Sequence, residues 1–201
     1  MLNVFSLHLF IIGICDVRKR RIILTEKKAL IVIASNDFQD IEFLHTKEEL
    51  EKAEIKITIA STKKTAVGMQ GTVVKVDLPL KQVNVNDFDA VIFIGGLGAS
   101  PYYRSKKVHS IITEAFSYGK KICAICVAPL ILAKAGILKG KRATVYDLNI
   151  KELAQVLTEE GAIYTGKQVE VDGNIITANG PNAAREFGRI IVKELYKQKK
   201  N

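Results

Sequence analysis

Cysteine is scarce in this chain: 201 residues contain three, an odd number. Three cysteines are a poor basis for a disulfide framework, which argues against the class of small secreted proteins that such bridges hold together. A reducing compartment suits a chain with free thiols. We therefore expect a cytoplasmic protein.

Long hydrophobic runs are lacking as well. The most apolar stretch, residues 1–15, is shorter than the about 20 residues that cross a bilayer, and no charge precedes it as in a secretory signal. A basic cluster follows at residues 18–21. We interpret residues 1–26 as an N-terminal extension that packs on the body of the protein, or as upstream sequence outside the natural product. A membrane anchor is the alternative that we disfavour.

Metal-ligand spacings and nucleotide fingerprints are also missing, so we expect no metal and no cofactor. Positive charge is in excess, with 30 Lys and Arg against 21 Asp and Glu and a net charge of +9. This excess is scattered along the chain, and its densest runs, residues 18–21 and 193–200, are not interleaved with base-stacking aromatic residues. We therefore expect no nucleic-acid partner.

The composition, 48% apolar and 25% charged, is that of one soluble globular domain. From Lys27 on, short β-branched runs alternate with longer amphipathic stretches, without a linker or a repeat, as in a mostly parallel sheet with crossover helices. We predict a single α/β domain over residues 27–201, with a doubly wound sheet flanked by helices. Strands are predicted at residues 29–34, 56–60, 90–94, 121–126 and 143–146, hairpins at 72–77 and around Asp172-Gly173, and helices at 40–53, 105–118, 150–160 and 182–197, with another beginning near Ala128-Pro129.

Three features follow the carboxyl ends of predicted strands, where open α/β sheets bind their ligands: Glu42, the pair Gly95-Gly96, and Cys126. A cysteine at a strand-to-helix corner faces free N–H groups and the positive end of the helix dipole, which favour the thiolate. On position alone, a nucleophile and a small core residue are equally open interpretations of Cys126.

The neighbouring candidates are weaker when taken alone. Gly95 and Gly96 would let backbone amides approach a substrate oxygen, but such pairs also end strands in plain turns. Glu42 lies in a first helical turn, where a carboxylate is favoured whether or not it is functional. Cys123 and Cys126, three residues apart on a strand, should face opposite sides with Cα atoms about 10 Å apart, beyond the about 7 Å that a disulfide allows. We therefore predict that Cys123 is a core residue.

Together these segments resemble the ThiJ/PfpI superfamily, which includes the Parkinsonism-associated protein and the PfpI intracellular proteases. Its fold is flavodoxin-like and similar to that of class I glutamine amidotransferases. The resemblance covers Lys27 to about Lys197 and leaves residues 1–26 outside. The motifs that carry it are Phe38-Gln-Asp-Ile-Glu42, Val91-Ile-Phe-Ile-Gly-Gly96 and Ala124-Ile-Cys126-Val-Ala-Pro129.

The resemblance implies roles for individual residues. Cys126 matches the nucleophile at its elbow, and Glu42 matches the acid that hydrogen-bonds the sulfur. A desolvated carboxyl beside a thiolate is pushed toward its protonated form, so we expect Glu42 to donate a proton or a hydrogen bond at neutral pH. The oxyanion and substrate-binding residues that the resemblance implies are Gly95, Gly96, Val127 and Tyr146.

One departure from the family pattern concerns peptide hydrolysis. Members described as proteases carry His directly after the cysteine, where this chain has Val127, and a cysteine protease needs such a base. None of the three histidines, His8, His45 and His109, adjoins the nucleophile. His45, one helical turn beyond Glu42, either reaches the pocket or packs on the surface.

Three functions are compatible with the resemblance. The one that we favour is a cofactor-independent glyoxalase or deglycase for small reactive aldehydes such as methylglyoxal, with Cys126 as nucleophile and Glu42 as acid and base. The second is a redox sensor or chaperone in which Cys126 oxidises to a sulfinate stabilised by Glu42 in oxidative stress. The third, an intracellular cysteine peptidase or amidase, is disfavoured. The resemblance also implies a homodimer or a higher homo-oligomer.

Overall fold

The computed structural model describes residues 26–147 and 151–197. The predicted N-terminal extension, residues 1–26, lies outside the described residues except for Glu26. The strands are β1 (Lys28–Val32), β2 (Asn36–Phe38), β3 (Lys56–Ser61), β4 (Thr65–Gly68), β5 (Val73–Lys75), β6 (Leu78–Pro79), β7 (Ala90–Phe93), β8 (Lys121–Ile125), β9 (Arg142–Ala143), β10 (Ile163–Tyr164), β11 (Val169–Asp172) and β12 (Ile175–Ala178). The α-helices are α1 (Asp40–Lys52), α2 (Lys106–Ser117), α3 (Pro129–Lys134), α4 (Lys151–Glu159) and α5 (Ala184–Tyr196).

A seven-stranded sheet forms the centre, in the order β11-β12-β8-β7-β1-β3-β6. Every neighbouring pair is parallel except β11 and β12, which form an antiparallel hairpin around Asp172-Gly173. All four residues of β7 are buried, because helices cover both faces of the sheet and leave no polar side. The predicted doubly wound, mostly parallel α/β fold is therefore confirmed.

The two faces of the sheet carry separate apolar layers. On one face, Phe43 of α1 and Phe187 of α5 pack with alternate residues of the central strands, Ile31 and Ile92 among them. On the other face, the apolar side chains of α2, α3 and α4 pack with the remaining strand residues. In the part of the chain that the structure describes, no helix has the length and apolar character needed to cross a membrane.

The predicted hairpin near residues 72–77 is present, although it begins earlier than expected. β4 and β5 are antiparallel, and β2 joins them in a small sheet beside the N-terminus of α1. Asp40, the first residue of α1, is buried and accepts hydrogen bonds from the backbone N–H groups of Gln70 (2.8 Å) and Thr72 (2.9 Å). The hairpin is thereby fixed to the helix that carries Glu42.

A buried carboxylate ties α1 to α5. Glu49 is 7% exposed, and its oxygens lie 3.0 Å from the Lys52 ammonium, 3.3 Å from Arg185 and 3.1 Å from Arg189. The hydrogen bond from Lys52 is the main cause that lowers the pKa of Glu49 to about 2, although burial opposes it. The charged form of Glu49 therefore stabilises the fold.

Replacing Glu49 with Gln tests this link. Because the pKa of Glu49 is depressed in the fold, its contribution is complete above about pH 4.5 and is lost as the pH falls toward 2. We expect Glu49→Gln to lower the free energy of unfolding by about 1 kcal/mol at pH 7, and by less as the pH falls. Urea unfolding across pH 3 to 7 measures the difference.

Glu51→Gln on the same helix is the matched control, since Glu51 is exposed and, among the described residues, forms an ion pair only with half-buried Lys47. Its effect should stay within about 0.5 kcal/mol. Equal losses in the two variants, or a Glu49→Gln loss that does not change with pH, would contradict the assignment.

Candidate active site

Cys126 occupies a sharp corner between β8 and α3. Its backbone has a φ of 66°, a left-handed conformation that a residue with a side chain rarely adopts. Hydrogen bonds hold the corner on both sides: the Cys126 N–H donates to Ala178 O (2.9 Å), and the Tyr146 N–H donates to Cys126 O (2.8 Å). The predicted strand-to-helix corner at Cys126 is present, with β8 ending at Ile125 rather than running through Cys126 as predicted.

The same conformation corrects the expectation for Cys123. Strand alternation predicts opposite faces for Cys123 and Cys126, yet both side chains pack in the apolar layer of α1 and α5. The positive φ of Cys126 ends the alternation and turns its side chain back to the face that Cys123 occupies. The two thiols are nevertheless free, and Cys123 is fully buried, which confirms it as a core residue.

Glu42 reaches the corner because the start of α1 is fixed beside the end of β7. Gln39 caps the helix, its side-chain oxygen accepting from the N–H groups of Ile41 (2.7 Å) and Glu42 (3.3 Å). The Gln39 N–H donates to Gly95 O (3.0 Å), and the Gly95 N–H donates to Oε2 of Glu42 (3.1 Å). Glu42 is fully buried, which excludes a solvated surface role.

Gly95 is required by the close approach of the two candidate side chains, those of Cys126 and Glu42. A Cβ at this position would lie 2.7 Å from Cβ of Cys126 and 3.0 Å from Oε2 of Glu42. Both distances are at or below the closest contacts that real Cβ atoms make. The absence of a side chain at Gly95 therefore provides the space in which the sulfur and the carboxyl approach each other. This role differs from the predicted one, in which the Gly95 amide was exposed to a substrate oxygen.

Burial raises the pKa of Glu42 to about 8, although the Cys126 thiol and the Gly95 N–H oppose the shift by donating to the carboxylate. The carboxyl therefore holds its proton at neutral pH, in the direction that the sequence predicts. Oε1 of Glu42 is buried without a hydrogen-bond partner of ordinary geometry among the described residues. This oxygen is thus able to form a hydrogen bond with a bound molecule.

The pKa of the Cys126 thiol is raised, and the predicted lowering is wrong. Burial of a residue that is 7% exposed is the largest cause, followed by the charge of Glu42 and the hydrogen bond with it. The backbone N–H groups of Val127 and Gly96 oppose the shift by hydrogen-bonding the sulfur. Since a protonated Glu42 carries no charge, a proton on that carboxyl removes its electrostatic opposition to a thiolate.

Gly96, Val127 and Tyr146 all lie at the corner. The two amides that hydrogen-bond the sulfur are the pair that the resemblance assigns to an oxyanion site. The backbone N–H of Tyr146 donates to the carbonyl of Cys126. The Tyr146 ring packs so closely on Gly180 that a Cβ at residue 180 would lie 2.9 Å from Cδ2 of Tyr146. Beside them is a cavity of about 150 Å³ lined by Tyr146, Asn179, Gly180, Pro181 and Asn182.

Sequence reasoning missed one residue of this neighbourhood, Tyr103. It lies in the 3₁₀ segment Leu97–Arg104 that follows Gly96, and its hydroxyl faces Val127 O at 3.5 Å. No motif or spacing pointed to it, because an irregular segment brings it back toward the corner.

Neither His45 nor His109 is hydrogen-bonded to Cys126 or Glu42, and His109 belongs to α2 on the opposite face of the sheet. His8 lies outside the described residues. Among residues 26–147 and 151–197, no group of three or more His, Cys, Asp or Glu side chains is placed to hold a metal ion.

Comparisons with known proteins agree with this architecture. The sequence model described as the DJ-1/PfpI family matches residues 27–194. An uncharacterised protein of Methanocaldococcus jannaschii is 40% identical over 172 residues, 85% of this chain and 83% of that protein. Deglycase PfpI of Pyrococcus furiosus is 31% identical over 167 residues, 83% of this chain and 98% of the relative.

Solved structures show the same fold. The crystal structure of Drosophila melanogaster DJ-1beta has a TM-score of 0.77 at 33% identity, covering 86% of this chain and 92% of that one. A ThiJ/PfpI domain protein from Brachyspira murdochii has a TM-score of 0.80 at 28% identity, covering 85% and 97%.

The raised pKa of Glu42 makes stability depend on pH. Between about pH 4.5 and 8 the folded chain holds a proton that the unfolded chain has released, so each pH unit of increase costs about 1.4 kcal/mol of stability. Glu42→Gln mimics the protonated carboxyl and keeps an acceptor for the Gly95 N–H. We expect its stability advantage over the original chain to be small at pH 5 and to grow steadily to pH 8.

Urea midpoints of the two proteins at pH 5, 6.5 and 8 test this. A stability difference that stays constant over the range would show that Glu42 is already ionised in the fold.

Proposed function

The chain belongs to the DJ-1/PfpI family, and from this premise we propose that it is a cysteine-dependent stress-response enzyme for small reactive aldehydes, of the glyoxalase or deglycase type. The single observation that carries the proposal is the close approach of the Cys126 and Glu42 side chains at Gly95, where a Cβ would lie 2.7 Å from Cβ of Cys126 and 3.0 Å from Oε2 of the buried Glu42. A relative named deglycase, from Pyrococcus furiosus, supports the same reaction class. The free thiols Cys123 and Cys126 fit a reducing, cytoplasmic setting.

The reaction starts with Glu42 protonated, and the Cys126 thiol releases its proton to solvent as the sulfur attacks. The sulfur adds to the aldehyde carbon of methylglyoxal, forming a C–S bond, and Glu42 passes its proton to the aldehyde oxygen. The product is a hemithioacetal, and Glu42 becomes a carboxylate. The N–H groups of Gly96 and Val127 stabilise the oxygen while it carries charge.

Glu42, now a base, removes the hydrogen of the aldehyde carbon as a proton, while the ketone oxygen takes a proton from solvent, giving an enediol. Glu42 returns its proton to the former ketone carbon, and the first oxygen loses its proton to solvent, giving a thioester. The aldehyde carbon is oxidised and the ketone carbon reduced by the same electron pair. Water then breaks the C–S bond and becomes part of the lactate carboxylate, while its two protons restore the Cys126 thiol and the protonated Glu42.

Peptide hydrolysis is not part of the proposal. The residue after the nucleophile is Val127, whose contribution to the corner is a backbone N–H. In the described residues no histidine is hydrogen-bonded to the sulfur or to Glu42, so an amine leaving group would lack the base that cysteine proteases use.

We further propose that the chain self-associates, as its resemblance to oligomeric relatives implies. The supporting observation is a surface that we call the hairpin patch, on which the β4–β5 hairpin, including its turn, and α1 expose apolar side chains. Asp40 fixes the hairpin to α1, which brings the two parts of this surface together. The patch consists of Leu44, Val67, Met69 and Val73, which are 46%, 41%, 45% and 69% exposed.

Lactate production from methylglyoxal tests the enzymatic proposal. We expect steady turnover by the original chain and a loss of about a hundredfold or more in Cys126→Ser, because the hydroxyl is a far weaker nucleophile than the thiolate. Glu42→Gln should also lose turnover, since it cannot accept the carbon-bound proton. Cys123→Ala is the matched control and should keep its activity. Undiminished turnover in Cys126→Ser would remove the hypothesis.

Light scattering coupled to size-exclusion chromatography tests the hairpin patch. We expect a dimer or larger oligomer for the original chain and a smaller species for Val73→Lys, because a charge in an apolar interface must be desolvated. Ile163→Lys is the control, since Ile163 is 55% exposed on β10, outside the patch. A monomeric original chain, or an unchanged mass in Val73→Lys, would refute the proposal.

A further inference from the structure

Tyr103 is a polar residue at the corner that the proposed reaction does not use. It belongs to the 3₁₀ segment Leu97–Arg104, which continues from Gly96, one of the two amides facing the sulfur. Its hydroxyl donates toward the carbonyl of Val127, the residue that supplies the other amide. Tyr103 therefore lies beside the backbone that surrounds the reacting oxygen.

The phenol of Tyr103 lies within electrostatic reach of the sulfur. Burial is the main cause that raises its pKa to about 12, and the negative charge of an ionised Cys126 adds to it. The hydroxyl therefore stays protonated at every physiological pH. It is available as a neutral hydrogen-bond donor and not as a base.

The hydroxyl is only loosely engaged. Its distance to Val127 O is 3.5 Å, whereas O–H···O bonds are usually about 2.8 Å long. The adjacent Tyr102 provides a contrast, since it is 5% exposed and donates to Ile33 O at 2.9 Å. Tyr102 thus anchors the segment, while half-buried Tyr103 has a proton that it can redirect at little cost.

We propose that Tyr103 is a substrate-binding residue whose hydroxyl donates a hydrogen bond to the second oxygen of a 2-oxoaldehyde attached to Cys126. This inference rests on the proposed function and extends it. The amides of Gly96 and Val127 donate hydrogen bonds to the oxygen on the carbon that the sulfur attacks. Tyr103 donates to the ketone oxygen, which gains negative charge as the enediol forms. The site is thereby selective for aldehydes that carry a ketone group on the neighbouring carbon.

Tyr103→Phe tests the inference, because it removes only the hydroxyl. We expect kcat/KM for methylglyoxal to fall about tenfold to a hundredfold, the usual effect of losing one donor to a developing oxyanion. Iodoacetamide, which has no second carbonyl to bind, should label Cys126 at the same rate and with the same pH profile as in the original chain. Tyr102→Phe is the matched control, expected to lower the melting temperature while keeping kcat/KM within twofold.

A second measurement does not depend on turnover. Methylglyoxal should protect Cys126 from iodoacetamide, and the half-protecting concentration should rise several-fold in Tyr103→Phe. If the iodoacetamide labelling rate and the turnover both fall in Tyr103→Phe, Tyr103 acts on the sulfur and the inference is overturned. The inference is also overturned if kcat/KM and the half-protecting concentration are the same in Tyr103→Phe as in the original chain. If the original chain is protected but makes no lactate, the proposed function fails, while the protection data still decide the role of Tyr103.

Discussion

The site depends on one contact, between a sulfur and a carboxyl that are both withdrawn from water. Three separate segments must meet for it to form: the corner after β8, the first turn of α1 and the loop after β7. Backbone hydrogen bonds, Cys126 to Ala178 and Gln39 to Gly95, hold these segments in place. The left-handed conformation of Cys126 is sparsely populated and persists because its surroundings determine it.

Burial gives this pair its chemistry. In water, Glu42 would be ionised and Cys126 would be a thiol at neutral pH. In the fold, burial penalises both anions, so Glu42 and Cys126 both hold their protons at neutral pH. The amides of Gly96 and Val127 favour the charge on sulfur, and a protonated Glu42 does not oppose it. A carboxyl that keeps its proton until the sulfur reacts is suited to serve first as acid and then as base.

Much of the fold could be predicted from the sequence, because continuous apolar runs such as residues 90–94 identify strands buried on both faces. Position at the carboxyl ends of strands also identified Cys126, Glu42 and Gly95-Gly96 as candidates. The direction of the Cys126 pKa could not be predicted, since it depends on how deeply the corner is buried. The predicted orientation of Cys123 relative to Cys126 was wrong for a local reason, because the positive φ of Cys126 interrupts strand alternation. Tyr103 was missed because an irregular 3₁₀ segment has no sequence periodicity that could be followed.

Titration of the Glu42 carboxyl itself tests most directly whether the buried group keeps its proton at neutral pH. Carbon-13 NMR of glutamate side chains, with the Glu42 resonance assigned by its absence in Glu42→Gln, follows ionisation without relying on activity. We expect a midpoint near pH 8, well above that of an exposed glutamate. A Glu42 resonance that has already titrated by about pH 5 would contradict it, because the carboxyl would then have no proton to give the substrate.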